Sequence, residues 1–271
     1  SCNPVFVQLA TKVGIDKFYE HLGTFGITGT TGIDFPGETT ALLQSKENAG
    51  PVGLATIGFG QGIAVTPIQL ITAISSFGND GKMMKPRLVK ALQDSNGKTV
   101  KTFDTEVVRQ TVSKETADEM KDIMQYVVDN GGGGAFKVDG YKVGGKTGTT
   151  SDSYDIWFDG FTANYSASIW IGTDVNIKLS SMSPKAATLW GKIMGQIDGA
   201  KGGTYSKRPG NVVSAAIDTK SGMLAVEGGS ATRTEYFTRG TQPKEGGTLK
   251  QTVAICDESG ELATPSCGST Y

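Results

Sequence analysis

The sequence predicts an α+β fold, an antiparallel sheet flanked by helices with a short β-rich C-terminal extension. Three observations predict it. Apolar residues recur at helical spacing behind capping residues, short apolar runs are separated by hairpin connections, and Gly is abundant. The 38 glycines among 271 residues imply many tight turns and close backbone approaches.

In chain order, Asn3 and Pro4 open the first helix, with Pro at the first helical position, and Phe6, Leu9, Ala10 and Val13 follow at helical spacing. Phe18 and Leu22 carry the apolar face of a second, short helix, and residues 23–37, rich in Gly and Thr, read as loop. Thr66-Pro67 starts a helix through Ile68, Leu70, Ile71 and Ile74 that ends near Asn79-Asp80-Gly81. Residues 88–92 and 99–103 flank Asn96-Gly97, a strong hairpin signal. Ser113 suits the N-cap of a helix carrying Ala117, Met120, Ile123, Met124 and Val127, stopped by Asn130-Gly131.

Residues 141–150 read as a strand, and 157–162 and 166–171 as a hairpin joined through Ala163-Asn164-Tyr165. Residues 186–197 return to helix. The composition shifts at 199–209, beyond which 212–217 and 223–226 form a second hairpin about Lys220-Ser221-Gly222. Two domains are therefore expected: the main domain at 1–203 and a hairpin-containing C-terminal extension at 204–271.

The 26 basic and 27 acidic residues leave a net charge of −1, which gives nucleic acid no reason to bind. No apolar stretch reaches the ~18–20 residues of a membrane span, and the first residues lack the basic and apolar regions of a signal peptide. No membrane contact is expected from this segment itself. The cysteines fit no common zinc spacing, and neither metal nor cofactor is implied. Cys256 and Cys267 bracket a turn-rich segment and would be able to close a disulfide in an exported protein, a connectivity that sequence alone leaves open.

Gly140-Tyr141-Lys142-Val143-Gly144-Gly145-Lys146-Thr147 satisfies the phosphate-loop pattern letter for letter. A phosphate loop leaves a buried strand and opens a helix whose amides hold the phosphates. Residues 131–139 contain no apolar strand, and Gly148-Thr149-Thr150-Ser151-Asp152-Ser153 is a poor helix opening. The context rejects the motif.

A second pattern overlaps it. Lys146-Thr147-Gly148-Thr149 lies on a strand, and Ser1-Cys2-Asn3 stands at a helix start. K-T-G and an S-x-N triplet, with S-x-x-K, form the signature of penicillin-binding proteins and related beta-lactamases. The intervening chain is similar to that family as well, through Phe6-Val7-Gln8-Leu9-Ala10, Thr31 to Glu38, Gly60 to Leu70, Val143 to Thr149 and Trp157 to Thr162. The resemblance covers residues 1 to about 200. Residues 236–243 and the segment from Cys256 to Cys267 resemble the region after the transpeptidase domain in bifunctional members, whereas residues 36–38 and 60–70 look more like monofunctional ones.

The resemblance implies a beta-lactamase-like fold and a serine D,D-transpeptidase that transfers an acyl group from D-Ala-D-Ala stem peptides of peptidoglycan and is trapped by beta-lactams. It implies an extracytoplasmic location, the parent being anchored by an N-terminal segment outside this chain. Ser1 would relay a proton to the leaving amine, and Asn3 would bind the substrate amide and orient the catalytic lysine. Lys146 would supply positive potential, Thr147 and Thr149 would bind the substrate carboxylate, and Thr149 N–H would form half of the oxyanion hole. Gly148 would let the substrate lie against the strand. Helix capping is the plainer alternative for Ser1 and Asn3. His21, the only histidine, reads as a surface residue, and Trp157 and Trp170 as core.

The nucleophile and general base of the family sit in S-x-x-K on a helix N-terminus upstream of S-x-N. The pattern occurs once, as Ser95-Asn96-Gly97-Lys98, across the hairpin turn, so Ser95 takes no catalytic role. The nucleophile is expected on a missing N-terminal part of the same protein, and the isolated chain is expected to be inactive. Alternatives are a D,D-carboxypeptidase or beta-lactamase of the same fold, the latter disfavoured by the long segment between Asn3 and Lys146, or a noncatalytic stem-peptide-binding or scaffold module.

Overall fold

A computed structural model describes residues 1–131, 142–179, 184–197, 210–227, 231–247 and 256–257. The chain divides into two compact units, Ser1–Arg208 and Pro209–Tyr271.

In the first unit, helix α1 (Asn3–Val13) starts from Cys2 as N-cap, with Pro4 in its first turn and no side-chain cap bond. Neither Ser1 nor Asn3 caps the helix, which removes the plainer reading of both. Helix α2 (Ile15–Thr24) follows across Gly14, whose φ of 82° sharply redirects the chain. Strand β1 (Leu42–Leu43) pairs with β2 (Ile63–Ala64) around helix α3 (Lys46–Gly58). α3 breaks its helical dihedrals at Gly50, immediately before Pro51. Gly58 lets it meet α1 closely, since a Cβ there would stand 2.5 Å from the Ala10 Cβ.

Helix α4 (Pro67–Gly78) opens with a reciprocal capping box between Thr66 and Gln69. The buried Gln69 amide also donates to the carbonyls of Ile27 (3.1 Å) and Gly29 (2.7 Å), tying the preceding loop to the helix. Farther along that loop, Asp34 accepts from the N–H groups of Leu88 and Val89, which hold its carboxyl below the usual range. Strands β3 (Lys82–Met84) and β6 (Val107–Gln110) pair antiparallel and enclose the β4 (Ala91–Gln93) and β5 (Thr99–Thr102) hairpin. Asn96 and Gly97 stand in its turn, Gly97 at φ 80°.

Helix α5 (Lys114–Asn130) is capped by the Ser113 hydroxyl, which accepts from Thr116 N–H. Its buried Asp118 and Lys121 pair at 2.6 Å, and Asp80 and Lys114 extend the network to the turn after α4.

The central sheet has the order β7 (Gly144–Thr149), β8 (Ile156–Phe161), β9 (Ser166–Ile171), all antiparallel. Ile156 and Phe158 of β8 point to helix α6 (Lys185–Gln196), where they form the main core with Ala186, Ala187, Trp190 and Met194. The opposite face packs on α4 and α5: Phe161 lies against Gly78, and Gly144 faces Met124. Glycine is required on β7, because a Cβ at Gly145 would stand 2.5 Å from the Phe158 ring and 3.0 Å from the Asp159 carbonyl.

In the second unit, β10 (Val212–Asp218) pairs with β11 (Thr232–Thr238) from Val212↔Thr238 to Asp218↔Thr232. This corrects the expected pairing of β10 with residues 223–226. The turn about Lys220-Ser221-Gly222 does form, and Ala225 N–H donates to Ala216 O, but only the Ile217–Leu224 bridge results. Cys2 is free and exposed. The proposed partner of Cys256, Cys267, lies outside the described residues, as do Gly140 and Tyr141 of the phosphate-loop pattern. Among the described residues no helix is long and apolar enough to cross a membrane.

Candidate active site

Strand β7 carries Lys146, Thr147, Gly148 and Thr149 as one continuous extended run. This excludes the phosphate-loop geometry, which places the Lys-Thr pair at a helix N-terminus. β7 is also the edge of its sheet among the described residues, so its outer backbone groups face away from β8. An extended peptide is able to add to such an edge through main-chain hydrogen bonds.

Ser1, just before the N-cap of α1, meets this strand. Lys146 Nζ donates to Ser1 Oγ at 2.7 Å, to Thr147 O at 2.9 Å and to Thr147 Oγ1 at 3.3 Å. These are three acceptors for the three protons of an ammonium. Lys146 is half-buried, and burial lowers its pKa from the usual lysine value. Ser1 is exposed, and Asn3 lies within about 7 Å of it along the chain, in the first turn of α1.

Thr149 is exposed at the strand end, and Thr147 and Gly148 are partly so. A Cβ at Gly148 would stand 3.2 Å from the Trp157 Cβ. The arrangement places a hydroxyl, an ammonium and a strand edge with two threonines in one stretch of surface. Chemically, that set is able to hold a carboxylate, accept an added strand and pass a proton through a hydroxyl.

Ser95, by contrast, sits in the β4–β5 turn, where Asp94 N–H donates to Lys98 O and Gly97 N–H to Asp94 O. Ser95 and Lys98 therefore have no helix N-terminus to share. His21 is exposed on α2.

Two features escaped the sequence reading. Trp157 and Trp170 pair across β8 and β9 at 6.2 Å, yet Trp170 is 41% exposed and bonded through Nε1 to Asp155, so it belongs to the surface and not the core. Asp159 is 5% exposed at mid-strand in β8, directly opposite Lys146, and burial pushes its carboxyl up to about 6 against the weaker influence of the Ser168 hydroxyl. A charged residue inside the apolar run Ile156-Trp157-Phe158-Asp159-Gly160-Phe161 was the available signal.

Residues 1–172 match the family model for the penicillin-binding protein transpeptidase domain, and residues 208–246 match that for the C-terminal domain of penicillin-binding protein 1A. Stage V sporulation protein D of Bacillus subtilis is 41% identical over 156 residues, 57% of this chain and 24% of that protein. Penicillin-binding protein 1A of Clostridium botulinum is 30% identical over 277 residues, 98% of this chain and 31% of that protein. The crystal structure of the D,D-transpeptidase domain of a peptidoglycan glycosyltransferase from Eggerthella lenta superimposes with a TM-score of 0.59 at 27% identity, covering 70% of this chain and 50% of that one. The chain thus spans about a quarter to a third of the length of these curated relatives. By the match over residues 1–172, this chain belongs to the penicillin-binding protein transpeptidase family.

Proposed function

We propose that these residues form the proton-relay and substrate-anchoring side of a peptidoglycan D,D-transpeptidase, acting on the D-Ala-D-Ala end of a stem peptide outside the cytoplasmic membrane. The observation that carries the reading is the 2.7 Å bond from Lys146 to Ser1, which joins the two motifs of the family that this sequence contains. In the reaction, a serine oxygen bonds to the penultimate D-Ala carbonyl carbon and the amide C–N bond breaks. D-alanine leaves with a proton, and an amine of a second stem then displaces the serine.

Ser1, hydrogen-bonded to a half-buried ammonium, is placed to pass that proton to the leaving amine. Asn3 binds the substrate amide and orients the general-base lysine. Lys146 with the Thr147 and Thr149 hydroxyls anchors the substrate carboxylate, and Thr149 N–H contributes to the oxyanion hole. Gly148 keeps the strand clear of side chains where the substrate docks. Beta-lactams, which carry the same carboxylate and a strained amide, enter by the same contacts.

The acylated serine and its base lysine belong to residues outside these 271, the only S-x-x-K within them being the Ser95 turn. Two surfaces support this. Helix α1 leaves Val5, Phe6, Leu9 and Val13 each more than 40% exposed, an apolar stripe suited to further helices of the same protein. The outer edge of β9 is unpaired among the described residues, and sheet edges are normally paired or covered. Residues 1–203 then form the major part of the transpeptidase domain and 204–271 its C-terminal extension, with the membrane anchor in a segment outside these residues.

Fluorescent penicillin applied to the full-length protein tests this reading. Covalent label is expected on a serine outside residues 1–271, mapped by peptide mass spectrometry. Label on a serine within them would overturn the assignment of the nucleophile, and no label at all would overturn the transpeptidase reading. Release of free D-alanine without cross-linked product would identify a carboxypeptidase.

A further inference from the structure

On the face of the sheet that carries Lys146, the residue directly opposite on β8 is Asp159, and beyond it on β9 is Ser168. Directly opposed residues of an antiparallel pair share a face, with Cβ atoms about 4.5–5.5 Å apart. Asp159 Oδ1 and Ser168 Oγ are both buried without a well-formed hydrogen bond, the Ser168 hydroxyl only weakly offsetting the effect of burial on the carboxyl. A buried carboxylate oxygen left unpaired is expensive, and a hydrophobic residue would fill this position in an otherwise apolar strand. Its placement behind the site lysine calls for a role.

The surroundings leave little to compete with it. Helix α4, packed on this face, carries no titratable side chain from Pro67 to Gly78, and β9 carries none from Ser166 to Ile171. Helix α5, packed on β7, buries Asp118 and Lys121, which are engaged with each other and with Asp80. Its remaining charges are Lys114, Glu115, Glu119, Asp122 and Asp129, with the phenol of Tyr126. On β7 itself the facing charge is Lys146.

We propose that Asp159 is a positioning residue that acts through Lys146: its ionised carboxylate, one strand behind, keeps the lysine in the three-proton ammonium form that bonds Ser1 and both oxygens of Thr147. The proposal rests on the transpeptidase reading above. Burial alone pulls Lys146 toward the neutral amine, which has only two protons for three acceptors. Burial sets the direction for both groups, and a negative charge one strand away would add an opposing pull on the lysine in a medium of low dielectric constant. Burial also raises the Asp159 carboxyl to about 6, so the countercharge is half formed at that pH and nearly complete about one unit above it.

The test is the pH profile of acylation by benzylpenicillin in the full-length protein. Asp159→Asn keeps shape and removes charge. Its alkaline limb, where Lys146 loses its proton, is expected to fall by about one pH unit. Asp159→Ser, also uncharged, is expected to move the limb the same way, and Ser168→Ala, which disturbs the same pocket without altering charge, to leave it in place. Superimposable profiles for Asp159→Asn and the unmodified protein overturn the proposal alone, as does an equal shift in Ser168→Ala. Absence of acylation in the unmodified protein removes the transpeptidase reading and the proposal with it.

Discussion

Lys146 donates to Ser1 across 2.7 Å, and the two residues are 145 positions apart in sequence. The bond forms because the fold brings the residue just before the N-cap of α1 to the edge strand β7. A half-buried ammonium raises the acidity of whatever hydroxyl it touches and attracts the carboxylate of an incoming ligand. Lys146→Met should therefore slow acylation of the full-length protein by benzylpenicillin about 10²–10³-fold, the effect of removing one preorganised donor. Lys146→Arg should recover little, since a planar guanidinium cannot reproduce an ammonium bonded to three convergent acceptors. Recovery within a few-fold would mean that only charge matters there.

Two glycines of β7 separate stability from function. At Gly145 an added Cβ meets the Phe158 ring at 2.5 Å and backbone at 3.0 Å, and neither is able to yield inside the β8–α6 core. Gly145→Ala should cost about 1–3 kcal/mol of stability by overpacking, read as a lower urea midpoint. At Gly148 the nearest atom is the Trp157 Cβ at 3.2 Å, at the partly exposed end of the strand. Gly148→Val should shift the midpoint less than Gly145→Ala while slowing acylation more. The reverse ranking would place the substrate elsewhere than along β7.

The sequence made helices α4 and α5 and the β7–β9 sheet legible because each has local punctuation: Thr66-Pro67, Ser113 and the Ala163-Asn164-Tyr165 connection. Helix α3 was missed because Gly50-Pro51 interrupts its periodicity, and the tertiary contact of Gly58 with Ala10, not propensity, holds it. β10 was given the wrong partner for a related reason. The turn at Gly222 was visible, but strand pairing is decided by long-range registry, and β11 has mostly exposed residues whose adjacent Tyr236 and Phe237 interrupt an apolar–polar alternation in sequence. At the site, Ser1 and Lys146 were legible as motif residues. Asp159 was not, because its meaning depends on the cross-strand register that sets it opposite Lys146.

Helix α5 depends on a buried ion pair. Asp118 and Lys121 side chains are 10% and 7% exposed, and Asp118 also accepts from Lys114 at 3.0 Å. Asp118→Ala strands the Lys121 ammonium beside Asp80, 3.7 Å away, and should destabilise the domain by about 3–5 kcal/mol. Lys121→Met in the same background should restore a large part, because the buried charge goes with it. A double-mutant cycle by urea denaturation checks this, and additive losses would show that the pair is not coupled.

Asp159 should make stability depend on pH in the direction opposite to most carboxylates. Its folded pKa, raised from 3.8 to about 6, means that the folded state holds its proton more tightly than the unfolded chain does. Stability from this residue is therefore full below about pH 4 and is lost as the pH rises to about 6, by about 3 kcal/mol. Asp34, held low by the Leu88 and Val89 amides, and Asp80, held low by its bond to Lys114, behave in the ordinary way, adding stability above the unfolded value that disappears in acid. The absolute curve mixes both, so the informative quantity is the difference between Asp159→Asn and the unmodified protein. The two should unfold alike below pH 4, and the variant should become progressively more stable until about pH 6 and keep a constant advantage beyond it. A difference that is flat across pH 4–7 would show that Asp159 does not titrate in that range, and that its carboxylate gains in the folded protein the partner that Oδ1 lacks here.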